Sequence, residues 1–329
     1  MGRNVSASKR GWGWDAANQR LVLYVNGTAV EYYDEPVGRT YYVNNVTGDS
    51  GGDGLSWDTA FDQVDAAFDA SETYRLSQTS SNRAVRNRIF VQGTETAYDI
   101  SNSRLNCCDV YGLGSRGMIG TGLSAVVIGD GSTAAGITFG AAGFTSLASG
   151  GGAAVGVNLH NVNFAFGGAF WGMNVVDFLL GSLEDVNFVN SGANGNGGLC
   201  CTEHFAGNIM RWCSAYGDTG NLATGFQFTG GVFNSNKIEH CSSSGRTYGW
   251  YNTDYLQNGS VIKNCVFSGA TYGIYDTGGG GAYLSGAVYV DNVGTSSGGT
   301  GIAITNGNYR AFRNISDSAQ TIAIYYAYT

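Results

Sequence analysis

The sequence predicts an all-β fold, a right-handed parallel β-helix, closed at its N-terminal end by one short helix. Three observations predict it: a glycine-rich composition almost without proline, a motif that recurs every 20 to 30 residues, and a second motif that advances in step with the first. Glycine supplies 53 of 329 residues and proline one, Pro36. Collagen needs abundant proline and is excluded, and a chain that is 43% apolar and 13% charged has too much apolar surface for disorder.

The first motif reads apolar, variable, usually Asn or Asp, then small apolar. It occurs as LHNV from Leu159, LEDV from Leu183, MRWC from Met210, IEHC from Ile238, IKNC from Ile262, VDNV from Val290 and FRNI from Phe312. Its fourth position falls at Val162, Val186, Cys213, Cys241, Cys265, Val293 and Ile315, with steps of 24, 27, 28, 24, 28 and 22 residues. The second motif is GFQF from Gly225, GWYN from Gly249, GIYD from Gly273, GIAI from Gly301 and TIAI from Thr321. Side chains alternate across a strand, so Phe226, Trp250, Ile274, Ile302 and Ile322 are expected to share one inward column. Gln227, Tyr251, Tyr275, Ala303 and Ala323 are then the outward column. The Asn/Asp position marks a bend, because asparagine tolerates the left-handed conformation. Trp212 and His240 interrupt that column.

Ahead of the repeats, Tyr41–Ser71 reads as a strand, a GDSGGDG loop and a helix. Phe61, Val64, Ala67 and Phe68 lie at helical spacing, which predicts a helix over Thr59–Ala70 with Asp58 or Thr59 as N-cap. A helix here covers the open edge of the first coil. Residues 1–38 form a separate hairpin unit, with RLVLYV and TAVEYY alternating around Asn26-Gly27 and GWGW preceding them. A lone hairpin is marginal in water, so this unit is read as a docking or capping element. The domain division is therefore 1–38 and 39–329, with the helix and the segment leading into the coils at about 40–72.

The segment YYVNNVTGDSGGDGLSWDTAFDQVDAAFDAS, followed by RIFVQGTETAY, resembles the opening of pectate-lyase-like β-helix proteins, a segment frequent in phage tailspikes and other virion β-helices. The resemblance implies a virion structural protein: a capsid decoration, fibre or spike, docked to other virion proteins through residues 1–38 and assembled as a homotrimer. Two alternatives stand beside it, a tailspike depolymerase that cuts host polysaccharide and a glycan-binding module.

The chemistry expected of this chain is sparse. A net charge of −8 argues against nucleic-acid binding, no stretch is long and apolar enough for a membrane span, and no signal peptide is expected, which fits a virion protein made in a host cytoplasm. Seven cysteines without disulfide or zinc spacing predict reduced, buried thiols, with Cys213, Cys241 and Cys265 in a ladder. No metal and no cofactor is expected; the loop Gly48–Gly54 resembles a calcium loop but has glycine at a ligand position. The "HG" and "RIK" motifs of polygalacturonase-like hydrolases are absent, and the three histidines leave little for acid–base work. Carboxylate candidates for catalysis are Glu239, Asp254 and Asp276, placed on neighbouring coils. Candidates for glycan binding are Gln227, Tyr251, Asp254, Tyr255 and Tyr275, since aromatic faces beside amides and carboxylates suit sugar rings.

Overall fold

The computed structural model describes residues 10–15, 20–25, 28–33, 38–77, 85–94, 98, 105–114, 127–128, 137–139, 153–166, 171–190, 194–217, 221–245, 247–253, 256–277, 287–304, 310–316 and 323–324. Within them three parallel sheets of ten, eight and eleven strands build a solenoid, and from Cys108–Leu113 onward the coils contribute to all three. One coil runs from Asn194–Ala206 in the eleven-strand sheet to Ile209–Arg211 in the ten-strand sheet, then to Ser214–Gly217 in the eight-strand sheet, before Asn221–Phe228 opens the next. The chain is a right-handed parallel β-helix, as the periodicity predicts.

The inward column is in place. Met173, Leu199, Phe226, Trp250, Ile274 and Ile302 are paired rung on rung and buried. Ile322 lies outside the described residues. Trp250 fills the middle of the core, against Phe226, Phe228, Phe233 and Phe267. The glycine that opens each second motif has a packing reason. A Cβ on Gly225 would stand 2.4 Å from Ser243 Cβ, and one on Gly249 would stand 2.6 Å from the backbone nitrogen of Ser268. The eleven-strand and eight-strand sheets meet too closely there for any side chain.

The bend column divides into two adjacent columns. Asn161, Asp185, Trp212, His240, Asn264, Asp291 and Arg313 all have φ between 48° and 55°, a left-handed ridge joining the ten-strand to the eight-strand sheet. The next position is a ladder, buried at Val162, Val186, Cys213, Cys241, Cys265 and Asn292 and half-buried at Asn314, fixed by the strand registers on either side. The sequence alignment therefore slips by one residue in its last two coils: Val293 pairs with Val266 and Ile315 with Val293, one position beyond the column of Cys265. A one-residue slip moves a side chain to the other face, and Ile315 is 60% exposed and Val266 48%. The inward residues of those coils are Tyr289 and Ala311, less apolar by type than the Val290 and Phe312 that the pattern selects.

The ladder is bonded along its length. Asn314 Nδ2 donates to the Tyr289 carbonyl and Asn292 Nδ2 to that of Ile262, at 3.0 and 2.9 Å. Asn292 Oδ1 accepts from the Cys265 backbone nitrogen at 3.0 Å, and Cys265 Sγ accepts from that of Cys241 at 3.4 Å. Cys213 Sγ donates to the Leu183 carbonyl at 3.2 Å. Thiols thus replace amides in one continuous column, and all seven cysteines are unbridged and buried.

The capping helix is present, but over Val64–Ser77, later than predicted. Phe61 sits before it, bridged to Val43. The helix continues past Ala70 because its buried face becomes polar: Arg75 bonds Glu72 at 2.7 Å, Glu72 accepts from Asn106 at 2.8 Å, and Asn87 donates to Ser71 at 2.8 Å. An apolar-period reading has no sight of such a face. The N-terminal segment forms three antiparallel strands rather than two, since Arg10–Asp15, which contains the GWGW run, pairs with Arg20–Val25, itself paired with Thr28–Tyr33. Asn26-Gly27 lies outside the described residues.

Burial pushes the Cys108 and Cys241 thiols well above their ordinary value, so neither forms a reactive thiolate near neutrality. Ellman's reagent is expected to label none of the seven thiols rapidly in the native protein, and all seven after unfolding in urea. Rapid native labelling of Cys213, Cys241 or Cys265 would contradict the ladder.

Candidate functional site

The outward face of the eleven-strand sheet carries the aromatic feature the sequence indicates. Cys200, Gln227, Tyr251, Tyr275 and Ala303 occupy one column. The rings of Tyr251 and Tyr275 stack with centroids 5.6 Å apart and planes 5° apart. Two further tyrosines complete a square. Tyr248 and Tyr272 stack at 5.7 Å and 4° in the adjacent outward column, and each lies 4.5 Å from its neighbour on the same strand. Both columns face out because alternation breaks within each strand: two buried residues, Gly249-Trp250 and Gly273-Ile274, separate the half-buried tyrosines, so residues three apart share one face. That break hides Tyr248 and Tyr272 from period-two reasoning. The regular spacing of two Tyr-Gly pairs, 24 residues apart, is the signal that could have found them.

All four phenols are half-buried, and burial, followed by the neighbouring phenols Tyr251, Tyr275 and Tyr272, raises the pKa of Tyr248. Rigid rings with hydroxyl rims, held beside the amide of Gln227, form a platform able to pack against C–H faces and to bond hydroxyl groups. Asp254 and Tyr255 lie outside the described residues.

Of the carboxylate candidates, the two that are described, Glu239 and Asp276, do not converge. Glu239 stands on the outer face of the ten-strand sheet, in a column where Tyr42, Phe90, Tyr111 and His160 stack in turn and charges follow. His160 is 3.4 Å from Glu184, Arg211 is 3.9 Å from Glu184 and 3.1 Å from Glu239, and Lys237 is 3.2 Å from Glu239. Burial pushes Glu239 up, but Lys237 and Arg211 outweigh it, and its carboxyl falls below the usual range. It is an ion-pair partner held ionised. Asp276 is fully buried inside the solenoid, where Asn252 donates to it at 3.2 Å and the Tyr289 hydroxyl also donates to it. The sequence places Glu239 and Asp276 as carboxylates on neighbouring coils; they stand on different sheets, Glu239 on an outer face and Asp276 turned inward by the alternation after Tyr275.

A group the sequence reading passed over stands on the same eleven-strand sheet. Asp177, only 2% exposed, accepts hydrogen bonds from the His204 backbone nitrogen at 3.1 Å and from its Nδ1 at 2.6 Å. Glu203 Oε2 is 4.0 Å from the same Nδ1. The ladder is irregular between Val175 and Asp177, a bulge that brings His204 opposite Asp177. Among the described residues Asp177, Glu203 and His204 are the group able to hold a metal ion, with ligand atoms within 4.8 Å of one another. With Nδ1 donating to Asp177, Nε2 is the ring's acceptor, the arrangement of an oriented base. The signal in the sequence was Asp177 inside the apolar run VVDFLL. In the loop Gly48–Gly54 the carboxylates bond their own turn: Asp49 accepts from Gly51 at 2.9 Å and Asp53 from Thr59 Oγ1 at 2.6 Å.

No protein-family profile and no curated protein matches the chain. Among solved structures it is similar to the crystal structure of pectate lyase Pel9A, with 13% identity and a TM-score of 0.37, over 87% of this chain and 77% of that one.

The shifted phenols give a pH signature. Tyr41, Tyr98, Tyr111 and Tyr248 are all raised above 10.0, chiefly by burial. A folded state that holds these protons more tightly than the unfolded chain keeps their full contribution below about pH 10 and loses it as pH rises through the folded values. Absorbance at 295 nm is expected to show a late-ionising class of phenols, reduced in Tyr248→Phe; uniform ionisation at the ordinary value would contradict it.

Proposed function

We propose that the protein is a non-enzymatic virion structural protein of a phage-like particle, a capsid decoration, fibre or spike, that binds host-surface glycans on the outer face of its solenoid. The observation that carries the glycan reading is the square of Tyr248, Tyr251, Tyr272 and Tyr275. Four aromatic rings at the surface of a rigid parallel sheet, rimmed by hydroxyls and one amide, are preorganised for sugar, so binding orders few side chains. The virion reading is supported by the resemblance of Tyr41–Ser71 to the opening segments of virion β-helices. In it residues 1–38 dock to other virion proteins and three copies assemble side by side.

One observation favours a second reading, a polysaccharide depolymerase: the buried Asp177 that orients His204, with Glu203 alongside. Both readings meet in one experiment, in which purified full-length protein is incubated with polysaccharide extracted from the host surface. Under the glycan-binding reading the polysaccharide is retained without release of reducing ends, and Tyr251→Ala with Tyr275→Ala weakens retention at least ten-fold while the circular dichroism spectrum is unchanged. Release of reducing ends that His204→Ala abolishes would establish the enzyme instead. The virion reading predicts the protein at fixed stoichiometry in purified particles; its presence only in the culture supernatant would overturn it.

A further inference from the structure

The left-handed ridge selects against bulky side chains. An L-residue is disfavoured at positive φ, and Asn and Asp are the residues that relieve the conformation by local hydrogen bonding. The ridge follows that preference at Asn161, Asp185, Asn264 and Asp291. Arg313 departs from it at φ 51° and bonds Asp291, and two successive coils break it with aromatic rings, Trp212 at φ 51° and His240 at φ 55°. Neither is drawn into the core: Trp212 is 48% exposed and His240 is exposed as well. The sequence therefore holds two aromatic rings at the solvent edge, in a conformation that disfavours them.

The two rings form one surface. Their centroids are 6.0 Å apart and their planes 11° apart. The backbone beneath them is fixed, with Trp212 donating to the Glu239 carbonyl and His240 to the Lys263 carbonyl, each at 3.2 Å. Directly below, Cys213 and Cys241 anchor the buried ladder. Asp185 precedes the pair along the ridge and Asn264 follows it. Arg211 and Glu239, the chain neighbours of Trp212 and His240, are bonded to each other at 3.1 Å.

We propose that Trp212 and His240 form a second saccharide-binding ledge, on which the C–H face of a sugar ring packs while Asp185 and Asn264 take hydroxyl groups at either end. The inference rests on the glycan-binding reading above but uses a different face of the solenoid. What supports the ledge is the stacked, exposed pair of rings: the coils on either side, with the same backbone turn, carry Asp185 and Asn264.

Trp212→Asn tests it, because asparagine is what the ridge carries elsewhere. The full chain and the variant are applied to a printed array of bacterial surface oligosaccharides and plant polysaccharide fragments, and affinity for the strongest glycan is measured by calorimetry. Trp212→Asn is expected to weaken that affinity at least ten-fold, His240→Asn to weaken it less, and both to leave the thermal midpoint unchanged or higher. Binding that survives Trp212→Asn but is lost with Tyr251→Ala plus Tyr275→Ala overturns the ledge and leaves the tyrosine site standing. A native chain that binds no glycan on the array overturns both. A lowered midpoint in Trp212→Asn shows a packing residue and overturns the ledge, as does loss of particle incorporation with glycan affinity intact, which assigns the ring to a protein contact.

Discussion

In-register stacking of one coil on the next is the constraint on which every other feature depends. Parallel strands about 4.8 Å apart place each residue on its counterpart one coil away, so each position becomes a column. A column is stable when its members can touch their own kind: hydrocarbon on hydrocarbon inside, amide or thiol on amide in the ladder, ring on ring outside. The Trp250 column, the Asn292 ladder and the tyrosine square are three answers to one demand.

This constraint explains what the sequence disclosed. Wherever the members of a column were alike, the repeat was legible, and Val162 to Cys265 and Phe226 to Ile302 fell into register from spacing alone. Where a column changed chemistry it misled. Asn292 continues a line of thiols, and Tyr289 and Ala311 continue an apolar line, so the most hydrophobic alignment of the last coils was one residue out. The helix ran long for a related reason, because Glu72 and Arg75 neutralise each other in a buried face that apolar counting does not register.

The candidate site was half legible. Tyr251 and Tyr275 stood in a column with Gln227, but Tyr248 and Tyr272 reached the same face through a local break in alternation at the glycines beside them. The Asp177–His204 contact joins residues 27 apart across a bulge, and no repeat motif includes either. The candidate groups missed on this scaffold stand where the periodicity is broken, which is also where periodic reasoning is blind.

The buried cluster of Asn252, Asp276 and Tyr289 has a consequence for folding fidelity. A stack of similar layers has translational near-symmetry, and layers displaced by one step would still bury hydrocarbon on hydrocarbon. An ionisable group set at a single level removes that degeneracy. Any displaced stacking would take the buried Asp276 carboxyl away from the Asn252 amide and the Tyr289 hydroxyl, at a cost of roughly 3–5 kcal/mol. A buried carboxylate with its own two partners thus numbers one floor of the tower.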